Sequence, residues 1–294
     1  MAPFHIMAVA VNKHSKMYDE LIAAVRASLV DLGHDCTVAE NHFRTDAHNI
    51  LLGGSIFAAR HLKLAELLRG KPYILYQIES LDESRGLLKE WPEYRALMAH
   101  AAWIWDYGPA STEYLRRNGF ARVTHLPPGY HRCLESFPAA GAPLADVVFC
   151  GSPHPRRLAV IDALRARGLT VALNPDVYGE KRNRLIAHSK IALNIHGWDD
   201  LDTLETVRLS LLLANRRFVI SERADHNPYD DGVVYAAYDD LVPTIIDHLA
   251  RPETELQAIA DRGYRAMRGI DMVEAIRAAL PPTLGGLASP PATY

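Results

Sequence analysis

The chain has 294 residues, 49% of them apolar, a formal net charge of -3 and three cysteines. That length and apolar content fill two cores of ordinary size and exclude a disordered chain. Charges of both signs are mixed along it, which leaves no basic stripe for nucleic acid, and Cys36, Cys133 and Cys150 are too few and too scattered for a disulfide framework or a four-ligand zinc site.

Short β-branched or aromatic runs alternate with longer stretches of helical period, the pattern of repeated βα units on a parallel sheet. In the first half, strands are expected at His5–Val11, Cys36–Glu40, Asn49–Leu52, Tyr73–Ile78, Trp103–Trp105 and Val123–Leu126, and helices at Lys16–Leu32, Ala58–Leu68, Leu87–His100 and Ser111–Asn118. The alternation breaks at Pro127-Pro128-Gly129 and the following stretch is rich in Pro, Ala and Gly, as in a linker. It restarts with strands at Asp146–Cys150, Thr170–Leu173, Ile191–Ile195 and Phe218–Ser221, a shorter one at Val233–Tyr235, and helices at Arg156–Arg167, Lys181–Ser189, Thr203–Ala214, Asp240–Ala250, Glu253–Met267 and Met272–Leu280. The expected architecture is α/β, with two Rossmann-type domains whose parallel sheets face a cleft. Residues 1–128 form the first domain, 129–145 the linker, 146–280 the second domain and 281–294 a flexible tail. No basic segment precedes an apolar run at the N-terminus, and no run approaches the ~20 apolar residues that span a bilayer, so a cytoplasmic protein without a membrane span is expected.

Ligands of open α/β sheets bind beyond the carboxyl ends of the strands, so the loops there carry the candidate chemistry. Asp146-Val-Val-Phe-Cys-Gly-Ser-Pro-His-Pro-Arg-Arg is a buried strand that stops at Gly151 and turns into a helix, with Ser152 suited to the N-cap and Pro153 to the first helical position. Gly151 lets backbone approach a ligand, the helix start offers N–H groups, and Arg156 and Arg157 bring charge for phosphate oxygens. The alternative is a capped helix with two solvated arginines. A second strand ends at His196 and a polar loop with Gly197 leads to a helix near Thr203. His196 and the loop backbone suit a sugar or diphosphate. Glu205 suits a ribose diol, or else closes a capping box with Asp202; Arg208 suits an ion pair with Glu205 or a reach to the diphosphate.

These motifs, with Val177-Tyr-Gly-Glu, Ile186-Ala-His-Ser-Lys-Ile-Ala-Leu-Asn-Ile-His, Glu205-Thr-Val-Arg-Leu-Ser and Phe218-Val-Ile-Ser-Glu, resemble the C-terminal half of GT-B-fold bacterial glycosyltransferases of the group 1 and CgeB-like kind. Tyr76-Gln-Ile-Glu-Ser and Trp105-Asp-Tyr are similar to first-half patterns of the same family. The resemblance covers most of residues 49–268. It implies a nucleotide-sugar donor held by the second domain and a small-molecule, glycan or peptide acceptor held by the first. It also implies sugar transfer without an obligatory metal or a further cofactor. Gly197 stands eight positions before Glu205, where many retaining members carry a second glutamate, so the motif leaves the stereochemical outcome open.

An inverting transfer needs a carboxylate or imidazole to take the acceptor proton. Glu79 after Tyr73–Ile78, Asp106 after Trp103–Trp105, and His14 after the first strand are the candidates. Each has a plain alternative: Glu79 pairing with Arg85, Asp106 fixing its own loop, His14 solvated. There is no Gly-x-Gly-x-x-Gly after the first strand, no Walker loop, no Gly-x-Ser-x-Gly elbow and no His-Glu-x-x-His helix, and the fourteen histidines are dispersed, so no metal site is expected. The competing functions on the same fold are a nucleotide-sugar epimerase and a non-catalytic binding or scaffold lobe. The short chain also fits a protein completed by a partner subunit or a homo-oligomer.

Overall fold

The computed structural model describes residues 3–55, 61–81, 87–139, 141–199 and 203–281. They fall into two compact units, one drawn from Met1–His131 and Met272–Tyr294, the other from Arg132–Asp271. Each unit is built on one parallel sheet, as the alternating pattern requires.

In the first unit the strands are β1 (Phe4–Ala8), β2 (Cys36–Glu40), β3 (His48–Leu52), β4 (Tyr73–Gln77), β5 (Trp103–Asp106) and β6 (Val123–His125), in the order β2-β1-β3-β4-β5-β6. Central strands of a parallel sheet are covered on both faces and read as continuous apolar runs. Accordingly, all five residues of β4 are buried, whereas the edge strand β2 exposes Thr37, Val38 and Glu40. Helices α1 (Asp19–Asp31), α2 (His61–Leu67), α3 (Leu87–Glu90), α4 (Tyr94–His100) and α5 (Pro109–Arg117) pack around this sheet. A 3-10 turn over Lys13–Tyr18 delivers the chain into α1. The single helix expected over Leu87–His100 is two helices, because Pro92 lacks an N–H and crowds the residue before it out of helical geometry.

The second unit contains β7 (Ala145–Phe149), β8 (Val171–Leu173), β9 (Ser189–Asn194), β10 (Val219–Glu222) and β11 (Val234–Ala236), in the order β11-β10-β9-β7-β8. Helices α6 (Pro155–Arg165), α7 (Gly179–Ala187), α8 (Thr206–Ala214), α9 (Leu241–Leu249) and α10 (Glu253–Gly269) surround it. Val147, Phe149, Ile191, Leu193 and Ile220 from the strands meet Ile161, Leu164 and Ile245 from the helices in one core. The 3-10 turn Asp230–Gly232 lies directly on α10. A Cβ on Gly263 would come within 2.5 Å of the Gly232 carbonyl oxygen, so this crossing needs a glycine.

Two boundaries differ from the sequence reading. The last helix, α11 (Met272–Ala279), belongs to the first unit and not to the second. It packs on α1, the Trp105 indole N–H donates to the Ala279 carbonyl at 3.0 Å, and Met272 N–H donates to Tyr130 O at 2.9 Å. The 129–145 segment is tied into the structure: Asn215 at the end of α8 donates to Leu134 O at 2.7 Å and accepts from Phe137 N–H at 2.9 Å. The left-handed position after α8 is taken by Arg216, at φ 52°. Of the tail, residues 282–294 lie outside the described residues, as do Arg85 and Asp202. Among the described residues no helix is long and apolar enough to cross a membrane.

Candidate functional site

In the second sheet the chain leaves β7 for β8 on one side and then returns to β9 on the other. Such a reversal opens a crevice beyond the carboxyl ends of the two adjoining strands. Here those ends are Phe149 of β7 and Asn194 of β9, and the two motif loops leave from them. The turn after β7 differs from expectation at its cap. Helix α6 starts at Pro155 with His154 at the N-cap and no side-chain cap, and Ser152 is an exposed turn residue whose carbonyl accepts from His154 N–H and from Arg157 Nη1. Gly151 is packed: a Cβ would lie 2.9 Å from the Phe149 ring and 3.0 Å from Arg208 Nη2.

The two arginines expected to serve a ligand together have different tasks. Arg156 donates to both oxygens of Glu222 at 2.7 and 2.8 Å, to Asp199 at 2.6 Å and to the His196 carbonyl at 3.0 Å, and its guanidinium lies 4.1 Å from the Tyr238 ring centroid. Glu222 also accepts from His196 N–H at 2.9 Å. Arg156 therefore joins α6 to the ends of β9 and β10, and its hydrogen bond to Glu222 raises its pKa. Arg157 is buried against the carbonyls of Ile195 (2.9 Å) and Ser152 (3.2 Å), with only a long 3.4 Å contact to Glu205. Desolvation and the neighbouring charge of Arg208 lower its pKa to about 10. Arg157 and Arg208 both lie by the Phe149 ring, at 5.2 and 5.5 Å from its centroid.

Glu205 stands at the N-cap of α8, which begins at Thr206, and its carboxylate turns into the site. It accepts from Asn194 Nδ2 at 2.9 Å and meets His196 Nδ1 at 3.1 Å. Burial opposes its charge, but the His196 hydrogen bond and the charges of Arg208, His196 and Arg157 prevail and hold it down at about 2. His196 Nε2 faces the Arg223 carbonyl at 3.2 Å, so both ring nitrogens look at acceptors and only the imidazolium satisfies both. Its pKa is raised accordingly, burial being outweighed by Glu205 and Glu222. Asn194 links the group: it donates to Ser221 Oγ at 3.0 Å and accepts from Arg208 Nη1.

With Arg156 paired to both Glu222 and Asp199, three cations, Arg157, Arg208 and the imidazolium of His196, have Glu205 as the carboxylate at the centre of the group. Uncompensated charge in a buried setting is costly unless an anion completes it. Gly197 lies beside this group, next to Arg157 and His154, and Trp198 follows, half exposed with its ring 4.8 Å from that of His154. Asn194, Glu222, Ser221 and Phe149 were missed as site residues. Asn194 and Glu222 did leave a signal, a polar side chain closing an apolar run at a strand end.

In the first unit the three candidates separate. Glu79 is partly exposed past the end of β4, and the Tyr18 hydroxyl donates to its Oε1 at 2.6 Å. The Gln77 side chain donates to the Glu79 carbonyl and accepts from Tyr94 OH at 2.9 Å. Asp106 is fully buried and fixes its own loop, Oδ1 accepting from Gly108 N–H and Thr112 Oγ1, both at 3.1 Å. Burial pushes its pKa up to about 8 against those two donors, and among the described residues its Oδ2 has no hydrogen-bond partner. His14 sits in the 3-10 turn with its N–H donating to Asn12 Oδ1.

No family model matches the sequence. Uncharacterized protein L140 of Acanthamoeba polyphaga mimivirus is 31% identical over 111 residues, 36% of this chain and 36% of that protein. Uncharacterized protein L138 of the same virus is 33% identical over 110 residues, 35% of this chain and 12% of that protein. The match thus spans about a third or less of these curated relatives. Among solved structures the chain is similar to AviGT4, a glycosyltransferase involved in avilamycin A biosynthesis, at a TM-score of 0.54 and 13% identity over 95% of this chain and 97% of that one. It is also similar to T4 phage β-glucosyltransferase (TM-score 0.55, 11% identity, 95% and 99% coverage) and to an α-glucosyltransferase solved with UDP and DNA (0.57, 11%, 94% and 99%). At these identities the likeness is one of fold, and the fold is the GT-B type of two Rossmann-like units.

Proposed function

We propose that the second unit binds the diphosphate of a nucleotide sugar at the ends of β7 and β9, and that the chain transfers the sugar to an acceptor held by the first unit. The carrying observation is the cation group of buried Arg157 and His196 and half-buried Arg208 around the carboxylate of Glu205. A diphosphate supplies the charge that this group lacks, and the same guanidiniums then stabilise the leaving diphosphate as the glycosidic bond breaks. No metal or further cofactor is assigned to this step. Glu205 acts as the counter-ion that orients His196 and Arg157, not as a free ribose acceptor. Arg156 braces the loop that carries His196. Glu79, fixed by Tyr18, is the proposed base for the acceptor hydroxyl. The GT-B fold supports the reading, since the α-glucosyltransferase of that fold was solved with UDP.

The test is a thermal-shift series against UDP, GDP, dTDP, ADP and CMP and their sugars. A ligand present at 100 times its Kd stabilises by about 2.7 kcal/mol, so one nucleotide is expected to raise the melting temperature clearly. The absence of any shift across the series sinks the nucleotide reading. For the base, Glu79→Gln is expected to lower turnover by ~10²–10⁴-fold with donor affinity kept.

A further inference from the structure

The first sheet has its own reversal of order, between β1 and β3, and a cavity of about 320 Å³ opens there beyond the end of β1. That volume is at the small end of ligand pockets, which start near roughly 300 Å³. Buried Val9, Leu52, Tyr18 and Ile22 line it together with the polar Asn12, Lys13, Ser15, Lys16, Asp19 and Glu40. The loop amides facing it are already used. Ala10 N–H donates to Asn41 Oδ1, Val11 N–H and Asn12 N–H to Ser15 Oγ, and His14 N–H to Asn12 Oδ1. The turn therefore offers no set of spare amides for a phosphate, unlike a glycine-rich loop.

What the rim offers instead is an acceptor. The side chain of Glu40, the last residue of β2, has no hydrogen bond or ion pair among the described residues, and a carboxylate there can accept from two hydroxyls at once. Lys16 supplies a donor beside it, and the Tyr18 ring supplies an apolar wall for the C–H face of a ring. Gly53 leaves room for that ring: a Cβ there would come within 3.3 Å of Tyr18 Cδ2, and its φ is +83°.

We infer that this cavity is a second ligand site, for an uncharged ring bearing a vicinal diol, with Glu40 accepting from the two hydroxyls. The inference lies wholly within the first unit and stands apart from the nucleotide reading. A saccharide and a nucleoside share the required diol, and the test separates them. The full chain, labelled with ¹⁵N, is titrated with methyl glycosides of glucose, mannose and galactose and their 3-deoxy forms, which keep no vicinal diol, with uridine and adenosine and their 2′-deoxy forms, and with inorganic phosphate. The expected result is movement of the Val9–Ser15, Glu40 and Leu52 amides with a glycoside or a ribonucleoside. The deoxy form, and the diol ligand on Glu40→Gln, should each bind at least about tenfold more weakly, the loss expected from one hydrogen bond to a charged group. Glu40 is exposed, so the variant keeps the parental melting temperature. Silence of these amides toward every diol overturns the inference. So does equal binding of the deoxy forms, an unchanged affinity on Glu40→Gln, or a response to phosphate alone.

Discussion

Replacing Arg156 by alanine separates a brace from a ligand-binding arginine. The guanidinium and Glu222 are 11% and 9% exposed, and the substitution removes two short hydrogen bonds to Glu222 and one to the His196 carbonyl. Among the described residues Glu222 is then left buried with the His196 N–H as its hydrogen-bond donor. Removing one member of a buried pair costs about 3–5 kcal/mol, against a total stability of roughly 5–15 kcal/mol. The exposed Asp199, at 89%, adds little. For a unit of this size the loss corresponds to about 9–15 °C in melting temperature. The assay is differential scanning calorimetry of Arg156→Ala, Glu222→Gln and the double variant without ligand. The double variant should recover a large part of the loss, because no charge is left unpaired. An Arg156→Ala protein that melts like the parent but no longer binds any nucleoside diphosphate would refute the brace and make Arg156 a phosphate contact.

Arg208→Met should weaken nucleoside diphosphate binding by at least about tenfold in calorimetric titration, the loss of a charge-assisted contact, and an unchanged affinity would move the diphosphate elsewhere. The Glu205–His196 pair gives a signed pH dependence. Glu205, held at about 2 against an ordinary 4.5, contributes stability above 4.5 that is lost as pH falls toward 2; His196, raised above 6.5, contributes stability below 6.5 that is lost as pH rises through its folded value. Melting curves across pH should therefore show the parent's advantage over Glu205→Gln greatest between about 4.5 and 6.5, and a flat difference counts against the imidazolium–carboxylate pair. Asp106, raised from 3.8 to about 8, has the opposite sign for an acid: its contribution is present below 3.8 and lost as pH rises to about 8. Asp106→Asn should flatten that part of the stability profile, and an unaltered slope would mean that the carboxyl is ionised in the fold.

The fold was legible because its signal is repeated: a short apolar run such as Tyr73–Tyr76, rich in aromatic and β-branched residues and flanked by helical stretches, reads as a covered strand. The ends of elements were less legible. Pro92 splits a helix that periodicity alone joins, and α6 begins at Pro155 and not at Pro153, since two prolines both satisfy the local rule for a helix start. Which unit owns α11 was invisible, because that depends on a long-range contact, Trp105 to Ala279, which leaves no local trace. At the site, sequence could name Arg156, Arg157, His196, Glu205 and Arg208 as charged residues near strand ends, but it could not divide them into braces and binders. That division follows from Glu222, a residue 66 positions beyond Arg156 that reaches it through the register of β10 with β9. Once Glu222 and Asp199 take Arg156, the shortage of negative charge falls on Arg157, Arg208 and His196, and the preference for an anionic group becomes a property of the pairing, not of the arginine count. The same reasoning runs in reverse for Asp106: a strand-end carboxylate looks like a base in sequence, yet the Gly108 amide and the Thr112 hydroxyl in its own loop engage it first, and burial removes it from any substrate.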